Sequence, residues 1–471
     1  MKQFFSLVER IASRVNASLR EYDFSVDAYI NAATNPRKML GYYATYAVTS
    51  KHPLRLYFKG SNIAGSYFLG KCCVHDSVVY KSDVRGDELK RKGAPVMGAK
   101  QQPLTEDESI VIRNSFLFRT LIHSHSHNVS TPEEMFVRNS VAAHYSNIHG
   151  STLEGCYLGI FATVDQMSLH SCVVGDFSYL QMGELFTRAI KPGTVWIEKN
   201  DFSFHYTLPP EILRRYVAFD DNHRPRGILF DFMDSKKADF DRIYDSVKLG
   251  KLPIPIPASS AVNRFSLIKG RTKIGENVLI SQRAYLDNAD MGRGSNAQEN
   301  TFIVHSKLSG YDITAHGAKI IHCQVGENVF VAFNCFLNGK PEAPITIGQG
   351  CIIMPHTIID SEEAIVIPEN HLVWGFIGSP QDLPTHSIAL DVLNESRQLT
   401  IGDMNFSGDG KLFVDGFRAT IRHILEDNGA FYGKGKNRGH AQNHQSTSIN
   451  TIQPYRIGPR QGLYPAISIE P

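Results

Sequence analysis

The sequence lacks the features that mark several common classes of protein. Its seven cysteines include no pair at C-x-x-C spacing, which argues against a thiolate zinc ribbon or a thioredoxin-type redox motif. An odd number of cysteines set among apolar residues predicts reduced thiols, and therefore a cytoplasmic protein. No apolar run approaches the ~20 residues of a membrane-spanning helix. Charges also interrupt the N-terminal segment too early for a secretory signal, so we expect no membrane partner.

A large excess of charge of either sign is also missing. The chain has 471 residues, with 49 Lys and Arg against 47 Asp and Glu, which leaves a formal net charge of +2. This balance gives no indication of a nucleic-acid partner, and we expect a small-molecule substrate instead. The length is sufficient for two or three domains, each with a sizeable core.

The strongest pattern in the sequence is a repeat close to six residues long. Between residues 274 and 370 it recurs in units such as Ile274-Gly-Glu-Asn-Val-Leu, Val325-Gly-Glu-Asn-Val-Phe and Ile347-Gly-Gln-Gly-Cys-Ile. A less regular form runs through residues 60–195. Six is too long for strand alternation and wrong for a helix, whereas stacked hexapeptides with small corner residues form a parallel β-helix. The sequence therefore predicts a mainly β protein with two β-helix runs.

The repeats, together with the composition of the chain between them, predict five segments. Helical spacing of apolar residues predicts a helical segment at the N-terminus. Prolines at a helix start and a Pro-rich linker predict a helical insertion between the two runs. The predicted segments are the N-terminal helices (1–55), the first β-helix run (56–198), the insertion and linker (199–258), the second run (259–380) and a C-terminal helix with an extended tail (381–471).

Three short motifs in the first run place candidate ligands for a metal ion. They are Arg85-Gly-Asp87-Glu88, then His123 after two apolar residues, then His144-x4-His149-Gly150. Zinc in a catalytic site takes three protein ligands and keeps a fourth position open for water, whose pKa it brings near 7. Neutral imidazoles are suitable ligands, so the pattern predicts a metal site. Polar residues at the corners of coils are the alternative explanation.

The order of these motifs inside a hexapeptide β-helix resembles the γ-class carbonic anhydrases. The resemblance implies a left-handed helix and a trimer that binds Zn²⁺ or Fe²⁺ through two histidines of one subunit and one of its neighbour. It implies His123, His144 and His149 as the ligands, Arg85 and Asp87 as an interface pair beside the catalytic centre, and Glu88 as the neighbouring carboxylate. The implied reaction is the hydration of carbon dioxide. Leu117 departs from the family, which has Gln at this position.

The second run suggests a different activity. It resembles the first, with His305, His316 and His322, but the spacing of these histidines differs, so we interpret it as a degenerate copy or as one that complements the first. Many hexapeptide β-helix enzymes resemble this fold and are acyltransferases that use one histidine as a general base, with coenzyme A in a groove between coils. In that alternative His322 is a candidate base and acyl-CoA the cosubstrate. A scaffold with an inactive site is the third possibility.

Overall fold

The chain forms two compact units in which parallel β-strands predominate. The computed structural model describes residues 1–49, 53–95, 103–124, 134–246, 254–432 and 448–470, apart from the side chains of 242–246. The first unit comprises Met1–Thr194, Pro209–Ser246 and Ser446–Pro471, and the second comprises Val195–Leu208 and Val247–Gln445. The predicted insertion at 199–258 is therefore divided, because the helices after Pro209 belong to the first unit and the preceding hairpin to the second.

Three sheets form the β-helix of the first unit, and each coil of the chain adds one short strand to each sheet. Sheet 1 contains Ala44–Val48, Tyr67–Leu69, Asp83–Arg85, Leu121–His123, Asn147–His149, Thr163–Asp165 and Tyr179–Gln181. Sheet 2 contains Leu56–Lys59, Cys72–His75, Ser109–Arg113, Glu134–Arg138, Thr152–Glu154, Ser168–His170 and Glu184–Phe186. Sheet 3 contains Val78–Tyr80, Phe116–Phe118, Val141–Ala142, Tyr157–Leu158, Val173–Val174 and Ala189–Ile190.

The middle residue of each sheet 1 strand points into the β-helix. Ile122, Ile148 and Val164 are paired across neighbouring strands and have 0% exposure. Burying each such side chain is worth about 1.5–3 kcal/mol. The residues on either side point outward, because successive side chains of a strand alternate. This alternation leaves the last residue of each three-residue strand of sheet 1 on the outer face.

Small polar side chains connect the coils at the corner that precedes sheet 3. Along this row of equivalent positions, each backbone N–H donates to the side chain of the residue one coil earlier. The distance is 3.0–3.2 Å where the acceptor is a hydroxyl and 3.5 Å where it is a thiol. The row consists of Ser61, Ser77, Ser115, Ser140, Cys156 and Cys172. Its buried residues have 0% or 1% exposure, so each side chain satisfies a backbone donor that water cannot reach.

Five helices of the first unit pack on this β-helix. They are α1 (Lys2–Ser18), α2 (Asp27–Ala33), α3 (Pro36–Gly41), α4 (Pro210–Tyr216) and α5 (Ile228–Ser246), with a short hairpin, Ala218–Phe219 and Pro225–Arg226, between the last two. The end of α1 lies against Gly155, where a Cβ atom would come within 2.7 Å of Ser18. The Asp241 carboxylate of α5 accepts from Lys81 over 2.9 Å, which fixes the helix to one corner of the coils.

The last described strands of the chain close the open edges of the first coil. Ser448–Ile452 pairs antiparallel with Ala44–Val48, and Ile467–Ile469 pairs antiparallel with Leu56–Lys59. Between them Tyr464 is 2% exposed, and its N–H donates to the carbonyl of Ser61 over 2.9 Å. Unpaired edges invite association with other chains, and these strands cover two of them.

The second unit contains the more regular β-helix, again built from three sheets. Sheet 4 contains Ala261–Val262, Leu279–Ile280, Asn296–Ala297, Ile313–Thr314, Phe330–Val331, Ile352–Ile353 and His371–Val373, with Ser387–Ala389 antiparallel at its end. Sheet 5 contains Leu267–Lys269, Tyr285–Asp287, Phe302–Val304, Lys319–Ile321, Phe336–Asn338, Ile358–Asp360 and Phe376–Ile377. Sheet 6 contains Lys273–Ile274, Asp290–Met291, Lys307–Leu308, Cys323–Val325, Ile345–Ile347 and Ile365–Ile367.

The remaining elements of the second unit surround this β-helix. They are the strands Thr194–Lys199, Phe202–Thr207, Gln398–Ile401 and Met404–Gly408, a 3₁₀ turn at Pro380–Asp382, and the helices α6 (Leu383–His386), α7 (Leu390–Asn394) and α8 (Gly410–Asp427). Phe413 of α8 packs with its ring centre 5.6 Å from that of Phe204. The side chain of Asp409 caps α8 by accepting from the N–H of Leu412 over 3.1 Å.

The predicted parallel β-helix in two runs is confirmed. All seven cysteines are free, and burial raises the pKa of Cys323 and Cys335 to about 12. No helix in the described part of the chain is long and apolar enough to cross a membrane. The Gly- and Lys-rich stretch of the predicted tail, from 433 to 447, lies outside the described residues.

The serine row yields a stability prediction. Replacing Ser115 with Ala leaves the buried N–H of Ser140 without its acceptor, so we expect a loss of about 1–3 kcal/mol in the free energy of unfolding. Ser115→Cys should lose less, because a thiol already fills this position at Cys156. Urea denaturation measures both, with the exposed Ser13→Ala as the control. Equal stability of Ser115→Ala and the wild type would contradict this role for the row.

Candidate functional site

Four polar side chains of the first unit lie in one row on the outer face of sheet 1. Arg85, His123, His149 and Asp165 each end a strand, and each is paired in register with the next. Adjacent strands lie about 4.8 Å apart, so neighbouring members of the row are within contact of one another. The chain thus brings together residues that are 38, 26 and 16 positions apart (123 − 85, 149 − 123 and 165 − 149).

His149 and Asp165 form the best-defined pair of this row. The Nδ1 atom of His149 lies 2.7 Å from Oδ1 of Asp165. The other carboxylate oxygen accepts from the Tyr179 hydroxyl over 2.6 Å and from the Gln181 amide over 3.0 Å. Burial, and then the neighbouring Asp165 charge, hold the pKa of Tyr179 well above its usual range, so this phenol remains a donor. The carboxylate is therefore held on both oxygens.

His123 lies on the other side of His149. The centres of their rings are 5.2 Å apart. The Nε2 atom of His123 is 3.9 Å from Oε1 of Glu88. Arg85 donates to Asp87 from two nitrogens, with Nε to Oδ1 at 3.0 Å, and both side chains are largely buried. The structure therefore brings the predicted residues Arg85, Asp87 and Glu88 to this row, and it shows the Arg–Asp pair within one chain.

Two kinds of chemistry are compatible with this row. Because a carboxylate only accepts, Asp165 makes Nδ1 the protonated nitrogen of a neutral His149 and leaves Nε2 as a base or a ligand. A carboxylate on the far nitrogen of a histidine is also the usual support for a metal ligand. His123 and His149 would supply two of the three ligands of a zinc site, and the described residues of this unit alone contain no group of three.

His144, which was predicted to bind the metal together with His149, contacts other residues of the first unit. It follows a strand of sheet 3, and Tyr145, at φ 62°, turns the chain before the sheet 1 strand that ends in His149. Its Nδ1 lies 2.9 Å from the Tyr29 hydroxyl, which accepts from the His144 backbone N–H over 3.1 Å, and its ring centre lies 4.2 Å from that of Phe118. The two histidines lie on opposite sides of a corner, and the residue that the structure brings beside His149 is His123.

The second unit has its own histidine–carboxylate pair. Nδ1 of His316 lies 3.0 Å from Oε2 of Glu299, and both side chains are buried. The Lys319 ammonium group, also buried, donates to the carbonyl of Gly317 over 2.5 Å. Burial lowers the pKa of Lys319 to about 7, against a smaller opposing effect of Cys335. This buried set contains a histidine that the alternative prediction considered, but it is less accessible than His149.

His322, the predicted acyltransferase base, stacks on His305. Their rings are parallel within 4° and their centres are 4.8 Å apart. Burial, and then the charge of His305, lower the pKa of His322, while Glu342 opposes this shift. His305 is exposed and His322 half-buried. The pair is a surface stack at a corner, and within the part of the chain that the structure describes it forms no carboxylate contact like that of His149.

Sequence patterns missed the residues that orient these histidines. Asp165 and Tyr179 did not stand out, because the residue that each one contacts belongs to a neighbouring coil. The length of one coil could have identified Asp165, since it lies 16 positions after His149. Leu117, at the position of the family's Gln, has 0% exposure and lies in the core of sheet 3. Two further histidines that follow His123 and could supply a ligand, His125 and His127, lie outside the described residues.

The buried position of His144 predicts a pH dependence of stability. Burial, and then the Arg119 charge, hold its pKa well below the usual value of 6.5, so only the unfolded chain binds a proton here as the pH falls through 6.5. The unfolded state then carries more protons, and the free energy of unfolding decreases with falling pH. We expect His144→Phe to reduce this slope in urea titrations between pH 7.5 and 5.5.

Two variants control this test. His170→Phe, which removes a histidine from sheet 2, should retain the slope of the wild type. Tyr29→Phe, which removes the hydroxyl that partners Nδ1 and the backbone N–H of His144, should lower stability by about 1–3 kcal/mol at pH 7.5. An unchanged slope in His144→Phe would show that this group does not titrate on unfolding.

Comparison with known proteins identifies the family. The model for the hexapeptide repeat including loop matches residues 100–221. No curated protein matches the chain. A solved structure named "putative acetyltransferase", from Desulfovibrio desulfuricans G20, is 44% identical, with a TM-score of 0.92 over 100% of this chain and 99% of that chain. Another of that name, from Bacillus cereus, is 15% identical with a TM-score of 0.17 over 38% and 90% of the two chains, and supports no inference. This chain belongs to the acyltransferase-like superfamily of hexapeptide-repeat proteins.

Proposed function

We propose that the protein transfers an acyl group from an acyl-CoA thioester to a small-molecule hydroxyl or amine, with His149 as the general base. The observation that carries the proposal is the 2.7 Å contact between His149 and Asp165. The name of the 44% identical protein agrees with this activity and gives no support to carbonic anhydrase. Among the histidines that we considered, His149 combines a carboxylate partner with partial exposure of its side chain, at 14%.

The proposed reaction uses Nε2 of His149, the ring nitrogen that does not face Asp165. Nε2 removes the proton from the acceptor as its oxygen or nitrogen attacks the thioester carbonyl carbon. The carbon–sulfur bond then breaks, and the imidazolium returns the proton to the leaving thiolate, so that free coenzyme A is released. Asp165 stabilises the imidazolium and fixes the orientation of the ring. Tyr179 and Gln181 are positioning residues, because they act through Asp165, whose second carboxylate oxygen they hold.

Release of free thiol from acetyl-CoA, in the presence of pooled small amines and alcohols, tests this proposal. A general base contributes about 10²–10⁴-fold, so His149→Ala should lose at least about 100-fold in rate. Asp165→Asn should also reduce the rate, because an amide cannot stabilise the imidazolium. A rise in the thermal midpoint on adding coenzyme A would report binding independently of turnover.

Two histidine variants serve as controls. His170→Ala, at the end of a sheet 2 strand, should leave the rate unchanged. His322→Ala tests the base predicted from sequence, and we expect no loss there either. A loss confined to His322→Ala, or the absence of both coenzyme A binding and thiol release in the wild type, would overturn the assignment to His149.

A second candidate is a metal-dependent activity at the same row. It is favoured by the 5.2 Å separation of the His123 and His149 rings, together with the carboxylate on Nδ1 of His149. A bound Zn²⁺ or Fe²⁺ would act as a Lewis acid toward a water or a carbonyl oxygen. His123 and His149 would be two of its ligands, and Glu88 lies beside the first. In the γ-class enzymes that the sequence resembles, a third histidine comes from a neighbouring chain.

Elemental analysis of protein purified without chelators separates the two candidates. A metal enzyme should contain close to one ion per chain and lose it in His123→Ala and in His149→Ala, whereas His144→Ala should retain it. Asp165→Asn should weaken metal affinity about 10–100-fold, as is usual for the support of a ligand. His316→Ala tests the sequence-based hypothesis that the second run complements the first. A metal-free wild type that still releases thiol would eliminate the metal-dependent candidate.

A further inference from the structure

The outer face of sheet 2 carries a row of basic residues at the ends of its first four strands. Lys59, His75, Arg113 and Arg138 are paired in register, one per coil. The row ends where Arg138 pairs with Glu154. In a chain with a net charge of only +2, four consecutive basic side chains in register are a local concentration of one sign.

Two members of this row, Lys59 and Arg113, are exposed cations. Like charges on adjacent strands destabilise a sheet. Arg138 is neutralised by Glu134, but neither Lys59 nor Arg113 forms an ion pair within the described residues, and both are exposed. Asp76, the nearest acidic residue to His75 along the chain, is bound to Arg10 over 3.1 Å.

His75 lies between the two unpartnered cations. Burial lowers its pKa first, Arg113 and Lys59 lower it further, and Asp76 opposes them. The imidazole is therefore neutral at pH 7, so it can donate one hydrogen bond to an anion without adding a third positive charge. Its ring centre is 5.0 Å from that of Tyr57, which limits its orientation.

A second row, two residues earlier on each strand, runs beside the basic one. It consists of Tyr57, Cys73, Val111 and Phe136, which are also paired in register and half-buried. Because residues two apart on a strand share a face, this apolar row lies about 7 Å from the basic row. The face thus offers apolar contact on one side and positive charge on the other.

We propose that this face binds a small molecule that carries a diphosphate on a planar or apolar body. The phosphates would lie on Lys59, His75 and Arg113, and the body would lie against Tyr57 and Val111. Lys59 and Arg113 are separated by two strand spacings, about 10 Å, which their long side chains can bridge to a diphosphate placed between them. The three groups together supply charge and hydrogen-bond donors, and phosphate oxygens are acceptors. The assignment does not depend on the proposed acyl transfer.

Calorimetric titration with ADP, inorganic pyrophosphate and adenosine tests this site. We expect ADP to bind more tightly than pyrophosphate, because ADP contacts both the basic row and the apolar row. Adenosine should bind least, because it has no phosphate to contact the basic row. The double variant Lys59→Glu with Arg113→Glu should weaken ADP binding at least tenfold. Arg188→Glu, an exposed charge reversal in the same unit, should leave it within twofold. Circular dichroism establishes that the variants are folded.

The imidazole of His75 provides a second measurement. A bound anion favours the protonated ring, so pyrophosphate should raise the pKa of His75 in an NMR titration of the wild type and leave it unchanged in the double variant. If neither ADP nor pyrophosphate binds at millimolar concentration, the proposal is wrong. It is also wrong if binding is unaffected by the double charge reversal, or if the pKa of His75 does not respond to the anion.

Discussion

The pairing of each coil with the next is the constraint on which the structure depends. Hydrogen bonds between parallel strands hold consecutive coils about 4.8 Å apart, and the serine and cysteine row adds a side-chain bond at a buried corner. Equivalent positions of successive coils therefore form straight rows. A row inside the β-helix has to be apolar or internally satisfied, whereas a row outside it can accumulate charge. The candidate sites of the first unit are rows of this second kind.

This geometry explains how far the sequence could be interpreted. The hexapeptide pattern predicted the β-helix because apolar side chains must recur wherever the chain passes the core. It could not place His123 beside His149, because the coil between them is 26 positions long, against the 16 that separate His149 from Asp165. Nor could it place Tyr29 on His144, since that contact joins a helix to a distant coil. The spacing of His144 and His149 suggested that they form a pair, but a corner of the chain separates them.

The row in sheet 1 also shows why the same residues support two candidate activities. A carboxylate on Nδ1 of a histidine fixes the tautomer, and that is useful both to a general base and to a metal ligand. What distinguishes the two is what surrounds Nε2 of His149, and the His123 ring lies on the same row with its centre 5.2 Å from that of His149. The buried Leu117 provides no polar group to orient a small substrate.

The strands that close the first coil have a consequence for biosynthesis. Ala44–Val48 and Leu56–Lys59 leave the ribosome early, whereas Ile467–Ile469, which covers the second of them, is translated some 400 residues later. At 5–20 residues per second, this delay is roughly 20–80 s. During that time the nascent β-helix exposes two strand edges at the end where its folding would otherwise begin. Until the C-terminal strands are made, those two edges can pair with other chains, as unpaired strand edges do.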